Sequence, residues 1–126
     1  MKKNPNPARI WPWGDEQPTK ELCNFDGNVG QTSPVTSHAA QAKAQPYGLY
    51  HMAGNVWEWC LSKWANPFVH PEDNDPEGDS FRVLRGGSWL NLAQWVRCSF
   101  RVGYLPFGWL GLSGFRVGGV VPVLPD

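Results

Sequence analysis

Sulfur and imidazole side chains are the groups best suited to catalysis or metal binding in this sequence. The three cysteines stand at positions 23, 60 and 98, and the three histidines at positions 38, 51 and 70. Neither set has the short, regular spacing of zinc ligands, and three cysteines cannot form a closed set of disulfides. A Cys60–Cys98 disulfide is one alternative, and buried free thiols are the favoured one. Residue type and spacing alone therefore indicate no catalytic centre.

Acidic side chains between positions 72 and 79 are the next candidates, because they alternate along the chain around Gly78. This pattern is typical of calcium-binding loops, which also need a closing glutamate. Leu84 stands where that glutamate is required. A solvated surface loop is therefore the favoured interpretation of the acidic run.

Composition limits the class of protein. The 126 residues suffice for one domain with a modest core. Eleven basic and eleven acidic residues give a net charge of zero, which provides no electrostatic attraction for nucleic acid. Fourteen glycines, twelve prolines and eight tryptophans favour a loop-rich fold with short strands. Residues 1–9 are predicted to be a flexible leader and residues 10–126 a single domain.

The elements that would position any site are short. Strands are predicted at residues 82–85 (RVLR) and 114–117 (GFRV), with a turn at Gly86 and Gly87. Residues 10–14 (IWPWG) are predicted to form an edge strand that anchors in the core, and residues 39–44 at most a helical turn or two.

Residues 90–112 contain five leucines and five aromatic residues, and their only charged side chains are Arg97 and Arg101. Three glycines and Pro106 interrupt the segment, and neither a helical nor a strand period holds across it. We therefore predict a long apolar loop between two strands. Such a loop is either part of the core or a binding surface.

Three motifs occur in a fixed order: GLYHMAGNVWEW at residues 48–59, RVLRGGSW at 82–89 and GFRV at 114–117. They resemble the formylglycine-generating-enzyme (sulfatase-modifying factor) family, a variant of the C-type lectin fold. The resemblance covers about residues 9–118 and lacks the N-terminal half of the family. It implies an α+β protein with a reduced C-type lectin fold, loop-rich, with short antiparallel strands and little helix.

The resemblance also allows a test for catalysis. Formylglycine-generating enzymes place two copper-binding cysteines shortly after the GGS motif, whereas residues 90–96 contain no thiol and Cys98 stands alone. The related sulfoxide synthases bind iron through histidines in the half that this sequence lacks. We therefore expect no enzymatic activity and no required cofactor. The alternatives are a reduced oxidase of the family and a structural fragment that needs its N-terminal half.

The segment between the last two motifs resembles the variable region of proteins that diversity-generating retroelements diversify. In such proteins, fixed skeleton residues alternate with positions that change at template adenines. The skeleton residues here are Ser88, Trp89, Ala93, Val96, Arg97, Cys98, Arg101, Pro106, Gly114, Phe115 and Arg116. The resemblance implies a hypervariable region at about residues 90–112 that recognises a receptor or surface protein.

Variable positions of this kind would be the ligand-binding residues, and large aromatic side chains suit that role. They are Leu90, Asn91, Leu92, Gln94, Trp95, Phe100, Val102, Gly103, Tyr104, Leu105, Phe107, Gly108, Trp109, Leu110, Gly111 and Leu112. The skeleton residues Trp89, Cys98 and Phe115 are predicted to be buried. The expected partner is a protein or another macromolecular surface, not nucleic acid or a membrane interior, and a monomer is favoured. The expected location is a virion, such as a phage particle, or a cell surface.

Calcium is a further implication of the family, as a structural ion. The implied ligands are the side chains of Asn24, Asn28 and Glu58 and the carbonyl oxygens of Phe25, Gly30, Gly54 and Val56. His51 stands where the family usually has Asn or Asp, which weakens the second of the two sites. For Glu58 the alternative is an ion pair with Arg85 or Arg116.

Overall fold

The structure is a computed structural model that describes residues 8–108 and 111–119. Its elements are short, and loops connect them. In chain order they are α1 (Ala39–Lys43), β1 (Trp57–Lys63), β2 (Arg82–Arg85), a 3₁₀ helix (Ala93–Trp95), β3 (Arg101–Tyr104) and β4 (Ser113–Gly114). The predictions of little helix, of a strand at 82–85 and of a helical turn after residue 39 are confirmed.

The four strands form one sheet in the order β3-β2-β1-β4. β2 is antiparallel to both β1 and β3, whereas β4 runs parallel to β1. The prediction of antiparallel strands is therefore only partly right. The chain leaves β3 at one edge of the sheet and returns beside β1 at the other edge, which makes the β1–β4 pair parallel.

Strand β3 lies inside the segment that was predicted to be an irregular loop. Its four residues pair one for one with β2, from Arg82↔Tyr104 to Arg85↔Arg101. The prediction was wrong because pairing with a neighbouring strand supplies the backbone hydrogen bonds that local periodicity does not reveal. Gly103 fits this strand because the Trp64 ring fills the space of a side chain. A Cβ atom at position 103 would lie 2.4 Å from Trp64 Cγ.

The tryptophan-rich segment near the N-terminus is a tight turn, not the predicted edge strand. The backbone amides of Trp11 and Gly14 donate to each other's carbonyl oxygens at 2.9 and 3.0 Å. Trp11 is buried with Cys23, Ala53 and Val96, and it stacks on Trp13 with ring centroids 6.3 Å apart. The segment does anchor in the core, as predicted.

Three distant segments meet in a hub, which we define as residues 23–30, 53–55 and 86–91. Gly54 N donates to Gly86 O at 2.8 Å, Asn55 N to Asn24 O at 2.9 Å, and Trp89 N to Asn55 O at 2.9 Å. Gly54 has φ +75°, and a Cβ atom there would lie 2.3 Å from Asn24 O. The path of the chain through the hub therefore requires glycine at position 54.

Residues 66–80 form an exposed loop, as predicted for the acidic run. Lys63 Nζ lies 3.1 Å from Asp73 and 3.3 Å from Asp75. The buried Arg82 guanidinium donates to the carbonyl oxygens of Asp75, Pro76 and Glu77. Two basic side chains of the protein, Lys63 and Arg82, therefore hold the loop in its observed conformation.

Candidate functional site

Aromatic rings cover one face of the sheet. Trp95 stacks on Phe100 with centroids 5.8 Å apart and planes 5° apart, and Phe100 also contacts Trp57 at 6.0 Å. Trp59 contacts Tyr104 at 6.5 Å. We call these five residues the aromatic face. Three of them come from the predicted variable region, and two come from β1.

Alternation along the strands produces this face, because successive side chains of a strand point to opposite sides. In β3, Val102 and Tyr104 lie on the side of the aromatic face, and Arg101 and Gly103 lie on the other. The turn at residues 105–108 lies against the aromatic face. A Cβ atom at Gly108 would lie 2.0 Å from the Tyr104 ring. The exposed Phe107 in that turn is therefore placed beside the face.

The exposure of the predicted variable residues separates the binding surface from the core. Leu92, Trp95, Leu105 and Phe107 are exposed, as predicted, with exposed fractions from 43% to 71%. Phe100 and Tyr104 are half-buried. The predictions for Trp109 and Leu110 lie outside the described residues. None of these six side chains is fully buried, so these positions are not a core, whereas Val96 in the same segment is buried with Trp11 and Cys23.

The remaining predicted ligand-binding positions divide into two groups. Leu90, Gln94 and Gly111 are exposed, and Val102, Gly103, Gly108 and Leu112 are half-buried. Asn91 belongs to the hub instead. Its side-chain oxygen accepts hydrogen bonds from Ser88 N at 2.8 Å and from Ser88 Oγ at 2.7 Å. The structure thus brings most of these positions to the surface and holds Asn91 in the framework.

Two skeleton residues do not lie where the sequence predicted. Phe115 is 77% exposed and Cys98 is exposed, although both were expected to be buried, and Trp89 is half-buried. Phe115 is exposed because β4 ends at Gly114, so the chain leaves the sheet three residues earlier than predicted. The predicted strand at residues 114–117 is correspondingly reduced to Ser113–Gly114.

The three cysteines are free, and only Cys23 is buried, which corrects the prediction of buried thiols. Burial raises the pKa of the Cys23 thiol to about 12. Desolvation also raises the pKa of Cys60 and of Cys98, and the nearby Arg85 opposes both shifts. All three thiols therefore carry their protons at neutral pH.

Arginine side chains donate hydrogen bonds to backbone carbonyl oxygens around the variable segment. Arg97 Nε donates to Gln94 O at 2.8 Å, and Arg101 donates to Ala65 O. Arg116 Nε donates to Glu58 Oε2 at 2.6 Å, and its Nη2 donates to Glu58 Oε1 and to the carbonyl oxygens of residues 50 and 51. The hydrogen bonds with Glu58 raise the pKa of Arg116.

The surroundings of the Asn24 side chain are relevant to the predicted calcium site. Asn24 Nδ2 lies 2.9 Å from Gln31 O, 2.7 Å from Ser33 Oγ and 3.3 Å from Asn55 Oδ1. Its Oδ1 is buried and has no hydrogen-bond partner among the described residues. A buried amide oxygen without a hydrogen-bond donor is the kind of group that binds a hard cation.

The other predicted calcium ligands are engaged differently. Asn28 Nδ2 donates to Cys23 O at 2.9 Å. Both carboxylate oxygens of Glu58 accept from Arg116, which confirms the alternative of an ion pair at that residue. Within residues 8–108 and 111–119, no group of three or more His, Cys, Asp or Glu side chains is placed to hold a metal ion. Calcium therefore stays a prediction, with Asn24 as its best ligand.

Comparison with known proteins identifies the family. The sequence profile of the sulfatase-modifying factor enzyme 1-like domain (FGE-sulfatase) matches residues 5–118. The chain belongs to this family. The family recognised from the three motifs is thereby confirmed. In the described part of the chain, no helix is long and apolar enough to cross a membrane.

Two relatives contain a segment that is similar to this chain. Hercynine oxygenase of Mycolicibacterium thermoresistibile is 39% identical over 104 residues, which are 74% of this chain and 23% of that protein. Formylglycine-generating enzyme of Streptomyces coelicolor is 35% identical over 131 residues, covering 86% of this chain and 40% of that protein. The chain therefore spans less than half the length of these relatives.

These names correct one prediction. Both relatives are enzymes, so the expectation that the chain is not an enzyme is wrong. That expectation rested on the absence of two particular ligand sets. Such an absence cannot decide activity for a chain that matches only part of its relatives' length.

A solved structure extends the comparison to a variable protein. Treponema denticola variable protein 1 superimposes with a TM-score of 0.57 and 33% identity, over 76% of this chain and 35% of that chain. The likeness to a variable protein, which the skeleton residues implied, is thereby confirmed. The small helix content and the mixed four-stranded sheet agree with a reduced C-type-lectin-like fold.

Proposed function

We propose that this domain recognises a macromolecular target through its aromatic face and the adjoining turn at residues 105–108. The observation that carries the proposal is the packing of Trp95, Phe100 and Tyr104 against neighbouring rings while these side chains keep part of their surface accessible. The likeness to Treponema denticola variable protein 1 supports it.

Stacked rings are suited to recognition for a physical reason. Each ring offers large contact area, and its neighbours already restrict its rotamers, so little entropy is lost on binding. Tryptophan and tyrosine are also the residues most enriched among those that dominate binding energy. Trp95 is 43% exposed and Phe107 71% exposed, so both have surface to bury against a partner.

Diversification by a retroelement is part of the proposal. The side chains of Trp95, Phe100, Leu105 and Phe107 make none of the hydrogen bonds that join the hub, so exchange at these positions leaves the hub intact. The test is genomic. A neighbouring reverse transcriptase gene and a near-repeat of the coding segment for residues 88–116, differing at adenines, would support it. A coding segment without such a repeat would contradict it.

Binding itself can be tested without knowing the natural target. A random peptide library displayed on phage is selected on the immobilised full chain, and the enriched peptide is synthesised and titrated against variants. We expect Trp95→Ala and Phe107→Ala each to raise the Kd by about 30-fold, which corresponds to about 2 kcal/mol. The matched control is Phe68→Ala, since Phe68 is 95% exposed in a different loop. Binding that depends on Phe68 and not on Trp95 would place the site elsewhere.

Catalysis within a longer protein is a second candidate, and the 39% identity to hercynine oxygenase favours it. The assay is oxygen consumption by the purified chain with hercynine, with the full-length mycobacterial enzyme as positive control. Consumption above that of the buffer would make this candidate the primary one. Consumption equal to that of the buffer would exclude oxidation of hercynine by this chain alone.

A further inference from the structure

Two adjacent cavities, of about 650 Å³ and about 370 Å³, lie against β1 and β2. They share Cys60 and Arg85. Six of the eleven basic residues of the chain line them, compared with two of the eleven acidic residues, Glu58 and Glu72. The basic residues are Arg9, Lys63, Arg85, Arg97, Arg101 and Arg116. A chain of zero net charge thus concentrates positive charge on one surface.

Two of these arginines face each other across neighbouring strands. Arg85 of β2 is the direct partner of Arg101 in β3, and both line the smaller cavity. Directly opposed like charges in a sheet are destabilising, because their Cβ atoms are only about 5 Å apart. An anion held between the two guanidinium groups would remove this repulsion.

Neither arginine has a carboxylate partner within the described residues, where the ion pairs are those of Lys63 and Arg116. Arg85 Nη1 donates to Cys98 O at 2.7 Å. Arg101 donates to Ala65 O and lies 4.7 Å from the centroid of the Trp64 ring. A guanidinium group has five N–H donors, so each of the two keeps donors for a further acceptor.

The larger cavity is not only charged. Apolar side chains also line it, among them Met52, Trp59 and Leu61. Its volume lies in the usual range of small-molecule sites, about 300–1,000 Å³. A ligand that fills it would therefore join an anionic group to an apolar body.

We propose that these cavities bind an organic anion, a carboxylate or phosphate carried by an aromatic or aliphatic group, with the anionic end at Arg85 and Arg101. Planar guanidinium groups bind both anions through paired hydrogen bonds, which a lysine ammonium cannot do. Arg85 and Arg101 themselves do not belong to the aromatic face, but Trp59 of that face lines the larger cavity, so the site adjoins the target-binding surface.

Isothermal titration of the full chain with phenyl phosphate, benzoate and inorganic phosphate at constant ionic strength tests the proposal. We expect saturable binding of phenyl phosphate, at least about tenfold tighter than that of inorganic phosphate because the ring enters the apolar part. A peptide with an acidic side chain and a blocked C-terminus, titrated in parallel, distinguishes a peptide ligand from a free small anion. Equal affinity for phenyl phosphate and inorganic phosphate would overturn the apolar part, and no saturable binding of either would overturn the site.

Variants locate the anion. Arg85→Gln should weaken phenyl phosphate binding at least about tenfold, since it removes one of two charged contacts. Arg101→Gln, which removes the other arginine of the opposed pair, is a second variant in case the first does not fold. The matched control is Lys43→Gln in the last turn of α1, which lines neither cavity. Unchanged binding in both arginine variants, or an equal loss in Lys43→Gln, would overturn the assignment.

Discussion

The hub and the aromatic face hold together by different means. In the hub, backbone groups of three segments bind one another, and a glycine is required where they cross. On the aromatic face, rings contact rings, and the described contacts are between side chains. Backbone hydrogen bonds in the hub fix the path of the chain almost regardless of the neighbouring side chains. Ring contacts on the aromatic face do not determine that path, and they depend on which aromatic residues are present.

This difference explains how one domain can combine a fixed fold with a surface that changes. Backbone hydrogen bonds are available to every residue except proline, so substitution outside the hub leaves them in place. Ring stacking contributes about 0.5–1.5 kcal/mol for each pair beyond burial. Losing one such pair alters binding more than it alters the stability of the domain.

The strongest test of the comparison is Gly54→Ala in the hub. We expect it to lower the free energy of unfolding by about 2–5 kcal/mol, because a methyl group would collide with Asn24 O and alanine disfavours a positive φ. Gly48→Ala is the control, since Gly48 has φ +67° but open space around it. Its cost should be only about 1–2 kcal/mol. Denaturant unfolding of both variants measures the difference, and equal losses would contradict the crossing at Gly54.

Calcium, if it binds at Asn24, would strengthen the hub and not the aromatic face. At a calcium concentration 100 times the Kd, we expect the free energy of unfolding to rise by about 2.7 kcal/mol. Thermal unfolding with calcium, and after chelation, measures the change. A melting temperature that is the same in both conditions would remove the ion from this turn.

Removing the Glu58–Arg116 ion pair tests whether this pair links the GFRV motif at residues 114–117 to β1. Glu58→Gln should lower the free energy of unfolding by about 0.5–1 kcal/mol, because the Arg116 side chain is 37% exposed and solvent screens the pair. Glu77→Gln in the exposed loop is the matched control and should change stability little. High salt should reduce the difference between the two variants, and an undiminished difference would argue against an ionic origin.

His51 is expected to make the stability of the domain depend on pH. Burial is the main cause that lowers the pKa of His51, opposed by its hydrogen bond to Pro34 O and assisted by the charges of His38 and Arg116. A lowered folded-state pKa means that the unfolded chain binds the proton more tightly. The stabilising contribution is therefore full above about pH 6.5 and is lost as the pH falls through the folded-state value.

The measurement for His51 is the free energy of unfolding between about pH 7 and pH 5, where histidine titrates. His51→Asn removes the titrating group, and asparagine tolerates the φ of +51° at this position. The variant should show a shallower loss of stability than the wild-type chain as the pH falls. Parallel curves for the two proteins would mean that His51 does not contribute.

Phe115→Ala should have the smallest effect, below about 0.5 kcal/mol, because this ring lies on the surface. Leu84→Ala is the contrasting variant. Leu84 is fully buried in β2, and its truncation should cost about 2–5 kcal/mol. A large loss for Phe115→Ala would show that the ring is covered in the folded protein.

Features that depend on local sequence were predictable. Strand β2 follows from RVLR before two glycines, and the partners of Arg97, Arg101 and Arg116 follow from the many carbonyl oxygens of an irregular loop. The ion pair of Glu58 was one of two alternatives, and the structure decided between them.

Features that depend on strand pairing were not predictable. Strand β3 forms because one edge of β2 is free to pair, and the sequence of residues 101–104 alone does not predict a strand. The exposure of Phe115 depends on where β4 ends, and the place of Asn91 in the hub depends on the path of the preceding turn. The opposed pair Arg85 and Arg101 exists only in the observed register, so the arginine-lined cavities could not be found from composition.

The parallel pairing of β4 with β1 has a kinetic consequence. Trp57 pairs with Ser113 only after the intervening chain has closed, and contacts between such distant residues are entropically the slowest to form. β1 and β2 lie closer in sequence, so we expect their pairing to belong to the folding nucleus and the β4 pairing to follow it. Substitutions in the segment before β4 should then change the rate of unfolding and leave the rate of folding almost unaltered. A set of chains that differ only in that segment would have similar folding rates and different unfolding rates.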